Sequence, residues 1–192
     1  MQPIHERQGN PIMTSTFTPV SGSLQGDAFA HHRWATDALL DFCSRLTDEQ
    51  LAHHAPGTYG SIIATLRHMV ASDRWYLTFF RSSQSPLPEI DEESDTSLED
   101  LRAESVRNAA AWSEVLAASP NPEADVAEID PKWEFHVPLG VRLAQATHHG
   151  TDHRSQVCTA LTTLGIEPPE IDVWAYGDAT GRTRAIELAP SS

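Results

Sequence analysis

Apolar residues recur at intervals of three and four along four stretches of the chain, a spacing that places them on one side of an α-helix. Ser61 is a good N-cap for the second of these stretches, and Gly165 is a helix-ending signal after the fourth. The four predicted helices cover residues 25–46, 61–81, 97–119 and 139–164. Four long amphipathic helices predict an all-α protein built as a four-helix bundle.

The connections between these helices differ in length. Residues 82–96 form a linker that contains two prolines and a run of acidic side chains. Alternating apolar and polar positions predict a short strand over residues 133–137, paired in a hairpin with residues 126–129. We therefore expect a bundle with long crossover connections and a short β-hairpin before the last helix, and not a simple up-down-up-down order.

The two ends of the chain lack the periodicity of its centre. Residues 1–23 are polar and predict a flexible N-terminal arm, whereas residues 24–178 are expected to form the helical bundle domain. Residues 179–192 predict a polar C-terminal tail. Trp174 and Tyr176 lie just before that tail, and we expect both rings to pack on the bundle.

Charge and composition exclude several classes of partner. The chain has 27 acidic and 13 basic side chains, for a net charge of -14, and no cluster of lysine or arginine. Nucleic acids and anionic membrane surfaces are both bound through clustered cations, so neither is an expected partner. No apolar run approaches the roughly 20 residues that span a bilayer. Two cysteines suggest no disulfide framework, and the cytoplasm is the expected location.

Three histidines carry the candidate chemistry. His149 and His153 are four residues apart, so they lie on one face of the last predicted helix, in a row that is otherwise apolar. His68 also continues an apolar row, with Ala71 and Trp75, on the second helix. Three imidazoles could hold one divalent metal ion and leave a position open, as at catalytic zinc sites. The alternative is that these are structural core histidines with satisfied hydrogen bonds. Two histidines in one buried row make that alternative less favourable, because each ring brings polar nitrogens that need partners.

Side chains near these histidines could orient the rings, because a ligating imidazole usually donates its other N–H to a carboxylate or carbonyl oxygen. Asp73, Asp152 and Gln156 are within reach by their spacing. For each of them alone, ordinary surface solvation or pairing is the alternative. Arg154 is expected to form a structural salt bridge, whereas His148 is predicted to face water or a partner subunit.

Three motifs resemble those of the DinB/YfiT-like superfamily of metal-binding four-helix bundles, and the similarity extends from about residue 31 to residue 176. The motifs are His32-Arg-Trp-Ala-Thr-Asp-Ala-Leu-Leu40, Leu66-Arg-His-Met69 and His149-Gly-Thr-Asp-His153-Arg-Ser-Gln156. The chain departs from the commonest pattern at Ser155, where glycine is frequent, and at Asp152, where a histidine often stands.

The resemblance implies that His68, His149 and His153 are ligands of a divalent metal ion, most often zinc or nickel, in a bundle that is often a homodimer. Some relatives are thiol transferases and others are described as metal-dependent hydrolases. We therefore expect a metal-dependent enzyme that acts on a small-molecule substrate or uses a low-molecular-weight thiol, with no catalytic residue yet assigned. The alternative is a non-catalytic, stress-associated bundle that binds metal or small molecules.

Overall fold

The computed structural model describes residues 24–80 and 96–186, so the predicted N-terminal arm, most of the linker and the end of the tail lie outside the described residues. The four predicted long helices are confirmed. The helices are α1 (Leu24–Cys43), α2 (Asp48–Leu51), α3 (Ile62–Thr78), α4 (Leu98–Ala118), α5 (Leu139–Thr163) and α6 (Val173–Ala179), and the strands are β1 (Asp125–Ile129) and β2 (Glu134–Pro138).

The ends of the helices have local causes. Ser61 and Ser97 accept hydrogen bonds from the backbone N–H groups three residues later, as N-cap residues do. Helix α1 ends at Cys43, earlier than predicted, because the N–H groups of Arg45 and Leu46 bond to carbonyls only three residues back. Apolar periodicity continues through this turn to Leu46, which packs against the core, so the pattern overestimates the length of the helix.

Four helices form the bundle. Helices α1 and α3 each pack against both α4 and α5, so the order around the bundle is α1, α4, α3, α5. Helices α4 and α5 are consecutive long helices but lie diagonally across the bundle, as the predicted crossover connections require. The main core cluster includes Leu39, Leu66, Leu101, Val157 and Leu161. Among the described residues, no helix is both long and apolar enough to cross a bilayer.

The predicted hairpin is confirmed. Strands β1 and β2 are antiparallel, with Val126 opposite Val137. The guanidinium of Arg142, at the start of α5, donates to the Glu128 carboxylate over 3.1 Å and to the Val126 carbonyl over 3.3 Å. These two bonds attach the hairpin to the bundle.

The short helix α6 is an element that the periodicity did not predict. Its N-cap, Asp172, accepts a hydrogen bond from the N–H of Ala175. Tyr176 is buried as expected, but Trp174 is 63% exposed, which corrects the expectation that both rings pack on the bundle. Residues two apart on a helix point about 200° apart, so only one of these two rings can face the core.

Candidate metal centre

The packing of α3 against α5 brings His68 next to the pair His149 and His153. The Nε2 atom of His149 lies 3.2 Å from the Nε2 of His68 and 3.1 Å from the Nε2 of His153. One ring nitrogen of each histidine lies within 4.8 Å of the other two. In the described part of the chain, this is the one group of three His, Cys, Asp or Glu side chains with such geometry. We call it the histidine cluster.

The spacing within the histidine cluster fits a metal ion. Zinc binds imidazole nitrogen at about 2.0–2.1 Å with tetrahedral angles, which places neighbouring ligand nitrogens about 3.3 Å apart. The two Nε2 separations of 3.1 and 3.2 Å are close to that value. A set of three imidazoles suits zinc, nickel, copper and iron alike, so the donors alone do not select the metal.

The protonation state of His149 also fits a ligand role. Burial of the His149 ring, together with the neighbouring rings of His153 and His68, lowers the pKa of His149 from 6.5 to about 4. Asp152 and Asp73 act in the opposite direction, and more weakly. His149 is therefore neutral at pH 7, and a neutral imidazole is the form that binds a metal ion.

The three residues suggested as supports of the rings take different positions. The Oε1 of Gln156 lies 3.3 Å from the Nδ1 of His153. Asp73 instead accepts from the Nε2 of His32 over 3.3 Å and from the indole N–H of Trp112 over 2.8 Å. Asp152 is exposed on α5. Of the three, Gln156 is the one whose side chain lies within hydrogen-bond distance of a described ring nitrogen of the histidine cluster.

Comparison with known proteins identifies the family of the chain and agrees with its fold. The model of the DinB family matches residues 15–187, which is most of the chain. The chain belongs to the DinB family. The fold is shared with a DinB-like protein from Bacillus cereus ATCC 10987, whose crystal structure has been determined at 2.01 Å resolution. The two align with a TM-score of 0.57 and 18% identity, over 76% of this chain and 95% of that one. No curated protein matches the sequence.

Two tyrosines that the sequence patterns did not single out surround the cluster of this DinB protein. The ring of Tyr59 stacks on His68, with centroids 4.0 Å apart and planes at 14°, and lies perpendicular to the ring of His153. The rings of Tyr76 and His149 form a T-shaped pair, with centroids 5.6 Å apart. The sequence signal near Tyr59 was the loop Gly57-Thr-Tyr-Gly60 before α3. A loop signal does not show which ring a tyrosine in the loop will contact.

The arginine that follows His153 has an unexpected environment. Arg154 is buried and donates to the His32 carbonyl, to Thr36 Oγ1 and to Thr151 Oγ1, at 3.0–3.3 Å. Its Nη1 also lies 3.2 Å from the Nδ1 of His32. The expected salt bridge is thus replaced, among the described residues, by neutral acceptors. The reason is the crossing of α1 over α5, which places His32 between Arg154 and Asp73.

Gly150 allows this crossing. A Cβ atom at this position would lie 2.4 Å from the Cε1 of His32 and 3.0 Å from the Nη1 of Arg154. The absence of a side chain at Gly150 therefore lets the ring of His32 approach the backbone of α5.

Burial lowers the pKa of Arg154 to about 10, which leaves the guanidinium protonated at pH 7.

Proposed function

We propose that this DinB protein is a metal-dependent enzyme in which His68, His149 and His153 hold a divalent ion, zinc or nickel, and leave a coordination position for an exogenous ligand. The observation that carries the proposal is the convergence of three Nε2 atoms from two helices, with separations of 3.1 and 3.2 Å. No carboxylate or thiol among the described residues joins this group. A site with three protein ligands and an open position is typical of catalytic zinc.

The residues around the cluster support access by a small molecule. His153 is buried at 8% exposure, whereas His68 and His149 are half-buried. The cluster thus has a closed side in the bundle and a side that solvent reaches. When bound at such a site, a divalent ion acts as a Lewis acid that lowers the pKa of a water or a thiol toward neutrality.

The same chemistry supports two reactions, hydrolysis of a small substrate and transfer of a low-molecular-weight thiol to an electrophile. The two nearby carboxylates are not placed as general bases, because Asp73 is engaged by His32 and Trp112 while Asp152 points to solvent. The proposal therefore assigns activation to the metal centre and no proton transfer to a carboxylate. The two reactions differ in their nucleophile, which is water in the first and a thiol in the second.

The test is to load the purified protein with zinc or nickel and to assay two reactions in parallel. One arm offers activated esters and amides without thiol, and the other offers an aromatic electrophile with a small thiol. His153→Ala removes a proposed ligand, while His148→Ala changes an exposed neighbour on the same helix. We expect activity in one arm, lost in His153→Ala and kept in His148→Ala.

Two results would count against a catalytic role. Activity that is unchanged in His153→Ala would exclude the cluster from the reaction. Tight metal binding with no activity in either arm would favour the alternative, a non-catalytic bundle that binds metal or small molecules.

A further inference from the structure

We infer that Tyr59 is a positioning residue of the metal centre, which holds two of the three ligand rings from a loop outside α3 and α5. The inference rests on the proposed function, because it concerns the same three imidazoles. Two separate contacts carry it. The main-chain N–H of Tyr59 binds Gln156 over 2.8 Å, and the ring of Tyr59 stacks on His68.

The first contact fixes the orientation of the Gln156 amide. A main-chain N–H can only donate, so the atom of Gln156 that faces it must be the carbonyl oxygen and not the NH2 group. The same oxygen lies 3.3 Å from the Nδ1 of His153. Since a carbonyl oxygen can only accept, Nδ1 of His153 must carry the proton.

The tautomer of His153 determines which of its ring nitrogens can bind a metal ion. A neutral imidazole has one N–H, so a proton on Nδ1 leaves the lone pair of His153 on Nε2. That atom lies 3.1 Å from the Nε2 of His149 and is the one directed at the other ligands. Through Gln156, the backbone of Tyr59 thus selects the tautomer of His153 that can bind a metal ion.

The second contact restrains His68. The stacked rings are 4.0 Å apart at 14°, which limits rotation of the His68 imidazole about its side-chain bonds. Tyr59 is 53% exposed, so burial in the core does not hold it in place.

The loop that carries Tyr59 is itself well defined. The Thr58 hydroxyl donates to the Ala55 carbonyl over 2.8 Å, and Gly57 has a φ of 83°, a left-handed value that favours glycine. The loop therefore presents the Tyr59 ring and its main-chain N–H in one fixed arrangement.

Two measurements on purified protein test the inference. Nitrogen-15 NMR of the metal-free protein at about pH 8, above the usual histidine pKa of ~6.5, reads the tautomer of His153 directly. Competition against a coloured chelator gives the affinity for zinc. Gln156→Leu removes the acceptor, Gln156→Glu keeps one, and Ser155→Ala is a matched control on the exposed side of α5.

We expect wild type, Gln156→Glu and Ser155→Ala to carry the His153 proton on Nδ1, and Gln156→Leu to give a mixture of tautomers. Zinc affinity should fall about 10- to 100-fold in Gln156→Leu, as is usual when a support of a ligating histidine is lost. Tyr59→Ala should weaken zinc binding about 2- to 10-fold, the equivalent of one aromatic pair. Tyr59→Phe keeps the ring and the N–H, and should match wild type.

The inference is overturned if Gln156→Leu keeps both the tautomer and the affinity of wild type, or if Tyr59→Phe is as impaired as Tyr59→Ala. If Gln156→Leu does not fold, the Tyr59 pair still tests the stacking contact, and a His153 proton found on Nε2 in the wild-type protein would still overturn the hydrogen-bond contact. A wild-type protein that binds no zinc would contradict the proposed function instead, and the tautomer measurement on the metal-free protein would remain a test of the positioning role.

Discussion

Two groups of side chains that contain interior histidines lie close together in this bundle, and their ring nitrogens have different partners. The first group is His32 with Arg154 and Asp73, and the ring of His32 lies between the other two side chains. The guanidinium can only donate, so it faces a lone pair on Nδ1, and the carboxylate accepts from the N–H on Nε2. Both ring nitrogens of His32 thus have complementary protein partners.

In the second group, the histidine cluster, nitrogens of the same kind face one another. Three Nε2 atoms meet, and one of them lies within 3.2 Å of both others. A neutral ring with its proton on Nδ1, as in His153, offers only a lone pair to the centre. The comparison teaches that burial does not mark a metal ligand, because buried His32 is fully satisfied by protein groups. The distinguishing feature is the convergence of equivalent nitrogens on one point.

The comparison is tested most strongly by removing one histidine from each group. His153→Ala should lower zinc affinity more than about 100-fold, beyond the usual cost of losing an outer support, and should leave the metal-free protein folded. His32→Ala should instead lower the free energy of unfolding by about 3 kcal/mol, because Arg154 and Asp73 each lose a hydrogen bond to the ring between them. Chelator competition measures the first effect, and urea unfolding measures the second.

His32→Gln is the matched control for His32→Ala, because its amide can accept from Arg154 and donate to Asp73. It should recover part of the lost stability. If His32→Ala abolished zinc binding while the chain remained folded, the separation of the two groups would be wrong.

A smaller effect is expected at the helix crossing that creates the first group. Gly150→Ala places a Cβ atom 2.4 Å from the His32 ring. Alanine in a helix normally stabilises it relative to glycine by about 1 kcal/mol, but here we expect a loss of about 1–3 kcal/mol from overpacking. Thermal unfolding compared with His148→Ala, an exposed change on the same helix, measures it. Unchanged or raised stability in Gly150→Ala would show that the crossing tolerates a side chain.

The smallest effect is a pH dependence of the metal-free protein. The pKa of His149 is about 4 in the folded chain and 6.5 as its ordinary value, so between these values the unfolded chain binds more protons. The free energy of unfolding should therefore fall as the pH drops from 6.5 toward 4 and level off below. We expect a contribution of about 1–2 kcal/mol, since the half-buried ring is partly screened by solvent.

Urea unfolding over this pH range tests the assignment. His149→Gln should reduce the slope of stability against pH, and His148→Ala should not. An equal slope in His149→Gln and wild type would contradict a depressed pKa at this ring.

The helices and the three histidines could be predicted from sequence because both depend on local periodicity. The i, i+4 spacing of His149 and His153 fixes their common face wherever the helix packs. His68 could be proposed from its apolar row, but its distance from the pair depends on the packing of α3 against α5. Trp75 belongs to the same apolar row but is 44% exposed, so membership of the row does not determine how deeply a side chain is buried.

The parts that could not be predicted depend on contacts between distant segments. Tyr59 stacks on His68 because the loop that precedes α3 places the Tyr59 ring against the helix. Asp73 was within reach of the site by spacing, yet it is bound by groups from α1 and α4, which are Nε2 of His32 and Nε1 of Trp112. The periodicity of one helix does not show which side chain of another helix will be its hydrogen-bond partner.

The most direct test of the central claim is the location of bound metal. Crystals of the protein loaded with zinc, measured by anomalous scattering at the zinc edge, should show one ion per chain. We expect it at about 2.0–2.1 Å from the Nε2 atoms of His68, His149 and His153. A protein saturated with zinc that shows no ion at the histidine cluster, or an ion held only elsewhere, would contradict the account.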